Sequence, residues 1–215
     1  MTTFNYKFSK TAYIKGLQCV KQLYLYKYYY QLQDPLTAEI KEKFQGGHDF
    51  EDAYRSKFFP FAVDIEKIAK NRNAYPALTQ KALQKQVADI LEATFVFQEV
   101  LVMNDVLTRV NGIWEIQEIK NSKELNLTHI QDIALQYFVT KGVLQKDMIA
   151  TIVLPDENEG YKLIDVTKEV KGLQQEIAGN IKHFKDVLDE SFIPNIDISN
   201  HCEMPYKCSF WGYCH

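Results

Sequence analysis

The stretch DVLTRVNGIWEIQEIK, residues 105–120, contains two β-rich segments on either side of Asn111-Gly112. An Asn-Gly pair between hydrophobic runs is a strong signal for the tight turn of a β-hairpin. We therefore predict strands over residues 94–107 and 113–119 that pair antiparallel. The second strand is largely apolar, as expected for a strand buried at the centre of a sheet.

Three charged residues of this hairpin form a candidate metal site. Asp105 lies at the end of the first strand, while Glu118 and Lys120 lie two residues apart on the second and point to one face. Carboxylates on neighbouring strands repel unless a cation lies between them, and oxygen ligands suit Mg²⁺ or Mn²⁺. Lys120 could then activate water or stabilise charge on a phosphate. The alternative is an exposed hairpin that carries ordinary solvated charges.

A third acid for this site is sought in the upstream segment 37–59, which has helical periodicity. We predict a helix that Gly46-Gly47 interrupt and Pro60 ends. The glycines allow close approach of the backbone, so His48 or Glu51 on the following turn could reach the metal. His48 could equally be a surface or capping histidine, and Glu51 a solvated helix acid.

Downstream, a helix over residues 127–144 places Asp132 and Gln136 on one face at i, i+4. Gln136 could bond a base or phosphate, or it could pack the helix on the sheet. The remaining predicted elements are helices at 10–16, 20–31, 76–93 and 167–188 and strands at 148–154 and 161–166. Their order predicts an α/β sandwich with three or four mixed strands.

The four cysteines are divided between the two ends of the sequence. Cys19 lies near the start, and Cys202, Cys208 and Cys214 lie in the tail. Four thiolates match a [4Fe–4S] cluster or a structural zinc, which would join the two ends. The five residues between successive tail cysteines exceed the usual zinc-finger spacing, which favours the cluster. Residues 1–10 lack the apolar run of a secretory signal, so we expect reduced thiols in the cytoplasm.

Composition bounds the class of protein. The 215 residues are 46% hydrophobic and 25% charged, which fits one globular domain, and no apolar stretch approaches the length that spans a bilayer. We expect a soluble protein with no membrane partner. The net charge of −3 and pI near 6.0 count against a nucleic-acid binder, but metal-binding carboxylates can offset a local basic groove in that total.

These motifs, in this order, resemble the RecB-like branch of the PD-(D/E)XK nuclease superfamily that carries an iron–sulfur cluster. The branch includes CRISPR-associated and AddB-type nucleases. The tail from His201 to Cys214 and the opening from Ser9 to Cys19 are similar to those of an uncharacterised bacterial branch. The resemblance implies a restriction-endonuclease-like α/β core, with a central mixed β-sheet flanked by helices. It implies a single domain, 1–215, in which residues 1–35 and 189–215 form the cluster lobe.

The resemblance also assigns roles to individual residues. Asp105, Glu118 and the carbonyl of Ile119 would bind the catalytic Mg²⁺ or Mn²⁺, with Lys120 as the catalytic lysine. Glu51 would replace the histidine of many relatives, since His48 lies three residues too early. Nucleic acid would be bound by Gln136 and Tyr137, and the [4Fe–4S] cluster by Cys19, Cys202, Cys208 and Cys214.

The implied function is metal-dependent hydrolysis of DNA, single-stranded or at ends, by an exonuclease. A helicase or a CRISPR-type protein is an expected partner, and DNA repair, CRISPR adaptation and phage defence are candidate pathways. A tyrosine-rich helix could stack on DNA or simply pack in the core; it comprises Tyr24, Tyr26, Tyr28, Tyr29 and Tyr30 with Lys21 and Lys27. The alternatives are a catalytically inactive nucleic-acid-binding or assembly module of the same fold and an iron–sulfur electron-transfer or sensing protein.

Overall fold

The computed structural model describes residues 4–158 and 160–215. In this part of the chain seven strands form one mixed sheet: β1 (Phe8–Ser9), β2 (Val63–Asp64), β3 (Ile90–Phe97), β4 (Val100–Val110), β5 (Ile113–Ile119), β6 (Met148–Asp156) and β7 (Gly160–Asp165). Their order is β2-β3-β4-β5-β6-β7, with β1 paired to β4. The β2/β3, β1/β4 and β5/β6 pairs are parallel, and the other pairs are antiparallel.

Helices lie between the strands and at both ends of the described chain. They are α1 (Lys10–Gln18), α2 (Val20–Tyr28), α3 (Ala38–Phe58), α4 (Ile65–Ile68), α5 (Tyr75–Gln84), α6 (Leu127–Leu144), α7 (Thr167–Gly172), α8 (Gln174–Asp189) and α9 (Trp211–Cys214). Helix α6 connects the parallel strands β5 and β6, because a parallel pair needs a crossover connection. The prediction of an α/β protein with a central mixed sheet flanked by helices is confirmed.

The predicted hairpin forms around Asn111 and Gly112, which have φ angles of 52° and 83°. In these left-handed conformations glycine is unstrained and asparagine is tolerated, which explains why this pair makes the turn. The register pairs Val110 with Ile113 and Val106 with Gln117. The charged ends of the two strands, Asp105 and Glu118, therefore lie at the far end of the hairpin from the turn.

Strand β4 changes partner along its length. Phe8 and Ser9 of β1 pair with Val100 and Leu101 at its start, and the ladder with β5 begins only at Val106. Strand β3 pairs with the same first residues of β4 on the opposite edge, so β1 and β5 share one edge of β4. Asp105 lies in the gap between them, where β4 has no ladder partner on that edge.

Several predicted boundaries are wrong. The segment 94–107 is not one strand, because Gln98 and Glu99 form a turn between β3 and β4 with φ angles of 46° and 60°. The helix predicted over 76–93 ends at Gln84, and the residues from Ile90 onward belong to β3. The helix predicted over 167–188 is divided at Leu173 into α7 and α8.

The predicted break at Gly46-Gly47 is also wrong, because α3 is continuous through both glycines. A glycine inside a helix costs about 1 kcal/mol relative to alanine. The 21-residue helix absorbs this cost, and it is stabilised at its start by the Thr37 side chain, which accepts a hydrogen bond from the N–H of Ile40. His48 and Glu51 consequently lie on one regular helix.

The main core lies between the sheet and helices α1, α6 and α8. Helix α6 has buried residues around most of its circumference, as expected of a helix enclosed between a sheet and other helices. Near its end Gly142 faces the ring of Phe97 on β3 so closely that an added Cβ would collide with that ring. Gly142 therefore sets how near α6 can approach the sheet.

We expect Gly142→Ala to lower the free energy of unfolding by about 1–3 kcal/mol, the usual cost of overpacking a core. Gly179→Ala is the matched control, because Gly179 lies inside α8 with no atom within 4 Å of the added Cβ. The control should raise stability by up to about 1 kcal/mol through helix propensity. Urea unfolding of both variants measures the difference, and equal effects would contradict the proposed contact.

No helix in the described ranges is both long enough and apolar enough to cross a lipid bilayer.

Candidate active site

Three carboxylates from three different elements meet near the gap in β4. Glu51 of α3, Glu92 of β3 and Asp105 of β4 each offer an oxygen, and these oxygens lie within 4.8 Å of one another. Among residues 4–158 and 160–215, these three acids form the one group of three or more Asp, Glu, His or Cys ligands at such spacing. Carboxylate oxygens are ligands that suit Mg²⁺ and Mn²⁺.

Glu92 was missed by the sequence analysis, which placed it in a helix. In the β3/β4 ladder Leu91 pairs with Val106 and Ala93 with Asn104, so Glu92 lies opposite Asp105. Its φ angle is 54°, an uncommon conformation for a residue with a Cβ, which costs of order 1–3 kcal/mol. The ladder is locally interrupted at this pair of acids. No alternation in this segment indicates Glu92 in advance, because the residues on both sides of it in β3 are buried.

Arg55 lies among these acids, one helical turn after Glu51. Its Nη2 atom forms ion pairs with Glu51 and, at 2.7 Å, with Glu92. The same nitrogen donates to the backbone carbonyl of Asp105 at 3.0 Å and lies 4.0 Å from the Asp105 carboxylate. The guanidinium thus offsets part of the repulsion among three carboxylates that are largely removed from water.

Asp105 connects the three carboxylates of Glu51, Glu92 and Asp105, which we call the acid group, to the next strand, β5. Its Oδ2 accepts a hydrogen bond from the backbone N–H of Ile119 at 2.8 Å. This bond spans the two strands where their backbone ladder has ended. The carboxylate of Asp105 is therefore held between the other two acids and the strand that carries Glu118 and Lys120.

Glu118 and Lys120 belong to a second charged group, in which two acids alternate with two lysines. Lys120 Nζ lies 2.5 Å from both Glu118 Oε1 and Asp132 Oδ2. Lys10 Nζ lies 2.9 Å from Glu118 Oε1 and 3.4 Å from Asp132 Oδ1. Gln136 donates to the other oxygen of Glu118, Oε2. We call Lys10, Glu118, Lys120 and Asp132 the four-charge ring.

Burial and neighbouring charges shift the pKa values of the acids in both groups. Burial, and then the charge of Glu118, raise the pKa of Asp105 well above its usual range. Burial also raises the pKa of Glu51 and of Asp132. For Glu118 burial acts in the same direction, but Lys10 and Lys120 outweigh it and hold the pKa below its ordinary value. The charged forms of Glu51, Asp105 and Asp132 are therefore disfavoured, and an added cation nearby would favour them.

The structure does not place His48 or Tyr137 with these groups. His48 is exposed on α3 and is outside the acid group, so Glu51 is the residue of that segment that reaches the site. Tyr137 is fully buried in the main core, where its ring cannot stack on a base, which corrects its assignment to nucleic-acid binding. Gln136 is also buried, and its amide is engaged by Glu118.

The tyrosines of α2 and the following turn are divided between core and surface. Tyr24 is buried, and its ring lies 4.9 Å from that of Tyr28, whose hydroxyl donates to the carbonyl of Leu188. Tyr26 contacts Tyr30, which is 60% exposed. Packing in the core therefore accounts for Tyr24, whereas Tyr28, Tyr29 and Tyr30 are exposed, and stacking on DNA stays a prediction for them.

The four cysteines line one cavity and are all free thiols. Burial raises the pKa of the Cys19 and Cys208 thiols. A tetrahedral zinc would hold sulfurs about 3.8 Å apart, from Zn–S bonds of ~2.3 Å. No three of these sulfurs lie within 4.8 Å of one another. The sulfurs are therefore not gathered as a tetrahedral zinc would hold them.

Hydrogen bonds connect the tail to the N-terminal helices around this cavity. Gln18 donates to the carbonyls of His201 and Tyr206, each at 2.7 Å, and Lys15 donates to the hydroxyl of Ser209 at 2.8 Å. A small apolar cluster, Leu25, Cys208 and Phe210, lies beside them. The two segments of the predicted lobe thus contact one another. Residues 1–3 of the first segment lie outside the described range.

No protein-family model matches this chain, and no curated protein matches it. Among solved structures, a match is the crystal structure of a protein called SSO0001, with 11% sequence identity and a TM-score of 0.38. The match covers 83% of this chain and 78% of that chain. A likeness this weak carries no functional argument, so the proposals below depend on the geometry of the two charged groups and the cysteine cavity.

Proposed function

We propose that the protein is a Mg²⁺- or Mn²⁺-dependent deoxyribonuclease with a restriction-endonuclease-like core. The observation that carries the proposal is the position of Asp105. It lies with Glu51 and Glu92 on one side and is bonded through Ile119 to the strand of Glu118 and Lys120 on the other. The three acids therefore lie beside the strand that carries Glu118 and Lys120, and we infer that a metal ion and a phosphate are held between them.

Charge balance supports a bound divalent cation. If every group is ionised, five acids face three bases, which leaves two negative charges in excess. The acids are Glu51, Glu92, Asp105, Glu118 and Asp132, and the bases are Lys10, Arg55 and Lys120. Uncompensated charge is costly where water is largely excluded. A divalent cation would supply the missing charge, and the available donors are the oxygen atoms that Mg²⁺ and Mn²⁺ prefer.

Each residue has a defined task in this proposal. Asp105, Glu118 and the carbonyl of Ile119 would hold the ion together with Glu51, and Glu92 is a further candidate. When bound, the ion lowers the pKa of a water molecule and polarises the phosphate. Lys120 would place its ammonium beside the phosphate, where it stabilises the charge that develops during hydrolysis. The Asp105 and Lys120 side chains are 15% and 25% exposed, so the site is mostly buried but keeps an opening to solvent.

The cysteine cavity would hold a structural [4Fe–4S] cluster rather than take part in the hydrolysis. Its four thiols lie on segments from the two ends of the described chain, so a cluster there would join the N-terminal helices to the tail. Reduced thiols suit the cytoplasm, which we propose as the location. We propose DNA, single-stranded or at ends, as the substrate, with a helicase or a CRISPR-type protein as a partner.

One observation favours a second function, a catalytically inactive nucleic-acid-binding or assembly module. Every charged group at the site already has a partner: Arg55 pairs with Glu51 and Glu92, while Lys120 and Gln136 engage Glu118. A site that satisfies itself in this way can be retained for structure alone. Metal binding separates the two functions, because an inactive site has no need of an ion held by Asp105.

The test is binding of Mn²⁺, followed by titration, and hydrolysis of labelled single-stranded DNA. We expect the protein to bind Mn²⁺ and cut, and Asp105→Asn to lose both activities. Asp52→Asn is the matched control, because Asp52 is exposed on α3 beside Glu51. Mn²⁺ binding that is absent, or that Asp105→Asn leaves unchanged, would overturn the nuclease in favour of the inactive module, and Mn²⁺ binding without cleavage would overturn the nuclease alone.

A further inference from the structure

Lys10 contacts the candidate active site although it lies 108 residues from Glu118 in sequence. Its ammonium forms ion pairs with Glu118 and Asp132, the two acids that also hold Lys120. The Lys10 side chain is 22% exposed, so these pairs are mostly shielded from water. None of the motifs that predicted the site includes this lysine.

The fold holds Lys10 from both sides. The preceding residues Phe8 and Ser9 form β1, which is hydrogen-bonded into the sheet beside β4. Lys10 is then the first residue of α1, whose buried residues Ala12, Tyr13 and Gly16 pack into the core. The backbone of Lys10 is therefore fixed, and its side chain, held by two acids, supports the groups that it contacts.

The geometry of the four-charge ring indicates what this support does. Glu118 Oε1 accepts from both lysines, while Asp132 offers one oxygen to each. Without Lys10, both carboxylates would be left to share Lys120, and its ammonium and the Glu118 carboxylate would be free to shift. Misplacement of a reacting group by about 1 Å can cost on the order of 100-fold in rate.

We propose that Lys10 is a positioning residue of the active site, which fixes Glu118 and Lys120 in the arrangement that hydrolysis requires. This inference rests on the proposed nuclease function. Lys10 acts through the two residues and does not contact DNA. Because it is a cation 2.9 Å from a carboxylate that would bind the metal, it also weakens the attraction of that carboxylate for an added ion.

Two measurements on Lys10→Met test the proposal. We expect kcat on single-stranded DNA to fall about 100-fold with KM within twofold of the original. Mn²⁺ binding, followed by electron paramagnetic resonance, should become severalfold tighter because the competing charge is gone. Lys7→Met is the matched control, because Lys7 is three residues away and pairs with Asp189 instead. The control should leave kcat, KM and Mn²⁺ affinity unchanged.

A second variant covers the case in which Lys10→Met fails to fold. Lys10→Arg keeps the charge but changes the geometry, so we expect it to fold and to lose part of kcat. The proposal is overturned if both variants leave kcat and Mn²⁺ affinity within twofold of the original, or if the loss is in KM alone. If the unmodified protein binds no Mn²⁺ and cuts no DNA, the proposed function itself fails. If it binds Mn²⁺ without cutting, the nuclease and with it this role of Lys10 are overturned.

Discussion

Replacement of Lys120 by methionine is expected to lower the metal-dependent rate of DNA hydrolysis by about 100- to 1,000-fold, the usual effect of removing one preorganised electrostatic contact in an active site. Methionine keeps most of the length of the side chain and removes its charge. The loss should be in kcat, because Lys120 is proposed to act on charge that develops during the reaction. Single-turnover assays on labelled single-stranded DNA with Mg²⁺ or Mn²⁺ measure it.

The control for this variant is Lys123→Met, because Lys123 is exposed three residues further along the same segment. It should cleave at the original rate. Circular dichroism of both variants shows whether the fold is retained, which matters because Lys120→Met leaves Glu118 and Asp132 with Lys10 as their remaining lysine. A folded Lys120→Met protein that cleaves at the original rate would show that the assigned chemistry is wrong.

Cys208→Ala is expected to abolish the brown colour of anaerobically prepared protein and to lower the free energy of unfolding by up to about 10 kcal/mol. The estimate follows from the large share of folding energy that a structural metal supplies in small metal-binding units. Cys208 is buried beside Leu25 and Phe210, so loss of its thiolate would also loosen the contact between the tail and the N-terminal helices. The ultraviolet–visible spectrum, the iron content and urea unfolding measure these effects.

Glu203→Ala is the control for the tail, because Glu203 is exposed next to Cys202 and offers no thiol. Its colour and stability should match those of the original. Anaerobic protein that is colourless, with four cysteines that react freely, would exclude the cluster. Colourless protein that contains one equivalent of zinc would instead support the zinc alternative, in spite of the wide spacing of the thiols.

Local sequence patterns predicted the part of the site that lies on one hairpin. The Asn111-Gly112 turn fixes the register of β4 and β5, so Asp105 and Glu118 could be placed on neighbouring strands from sequence alone. The helix that carries Asp132 was found by its length and periodicity. These features depend on residues close together in the sequence, which is where patterns are informative.

The remaining parts of the site depend on contacts between distant segments. Lys10 pairs with Glu118, and Arg55 pairs with Glu92 from another element. No spacing within one element can predict such a pair. Glu92 was misplaced because the apolar stretch that begins β3, at Ile90 and Leu91, fits a buried strand and a helix equally well, and periodicity does not separate the two. Tyr137 was assigned by analogy, which says nothing about burial.

The contacts of helix α1 bear on the order in which parts of the site assemble while the chain is being made. It begins at Lys10 beside Glu118 and ends at Gln18, which is bonded to His201 and Tyr206 of the tail. A ribosome completes the strands of Asp105 and Lys120 well before it makes these tail residues, and the earlier segments can begin to fold during synthesis. A growing chain would therefore have its acids before its cysteine cavity is closed, and we expect it to cut DNA only once the tail has joined the first helices.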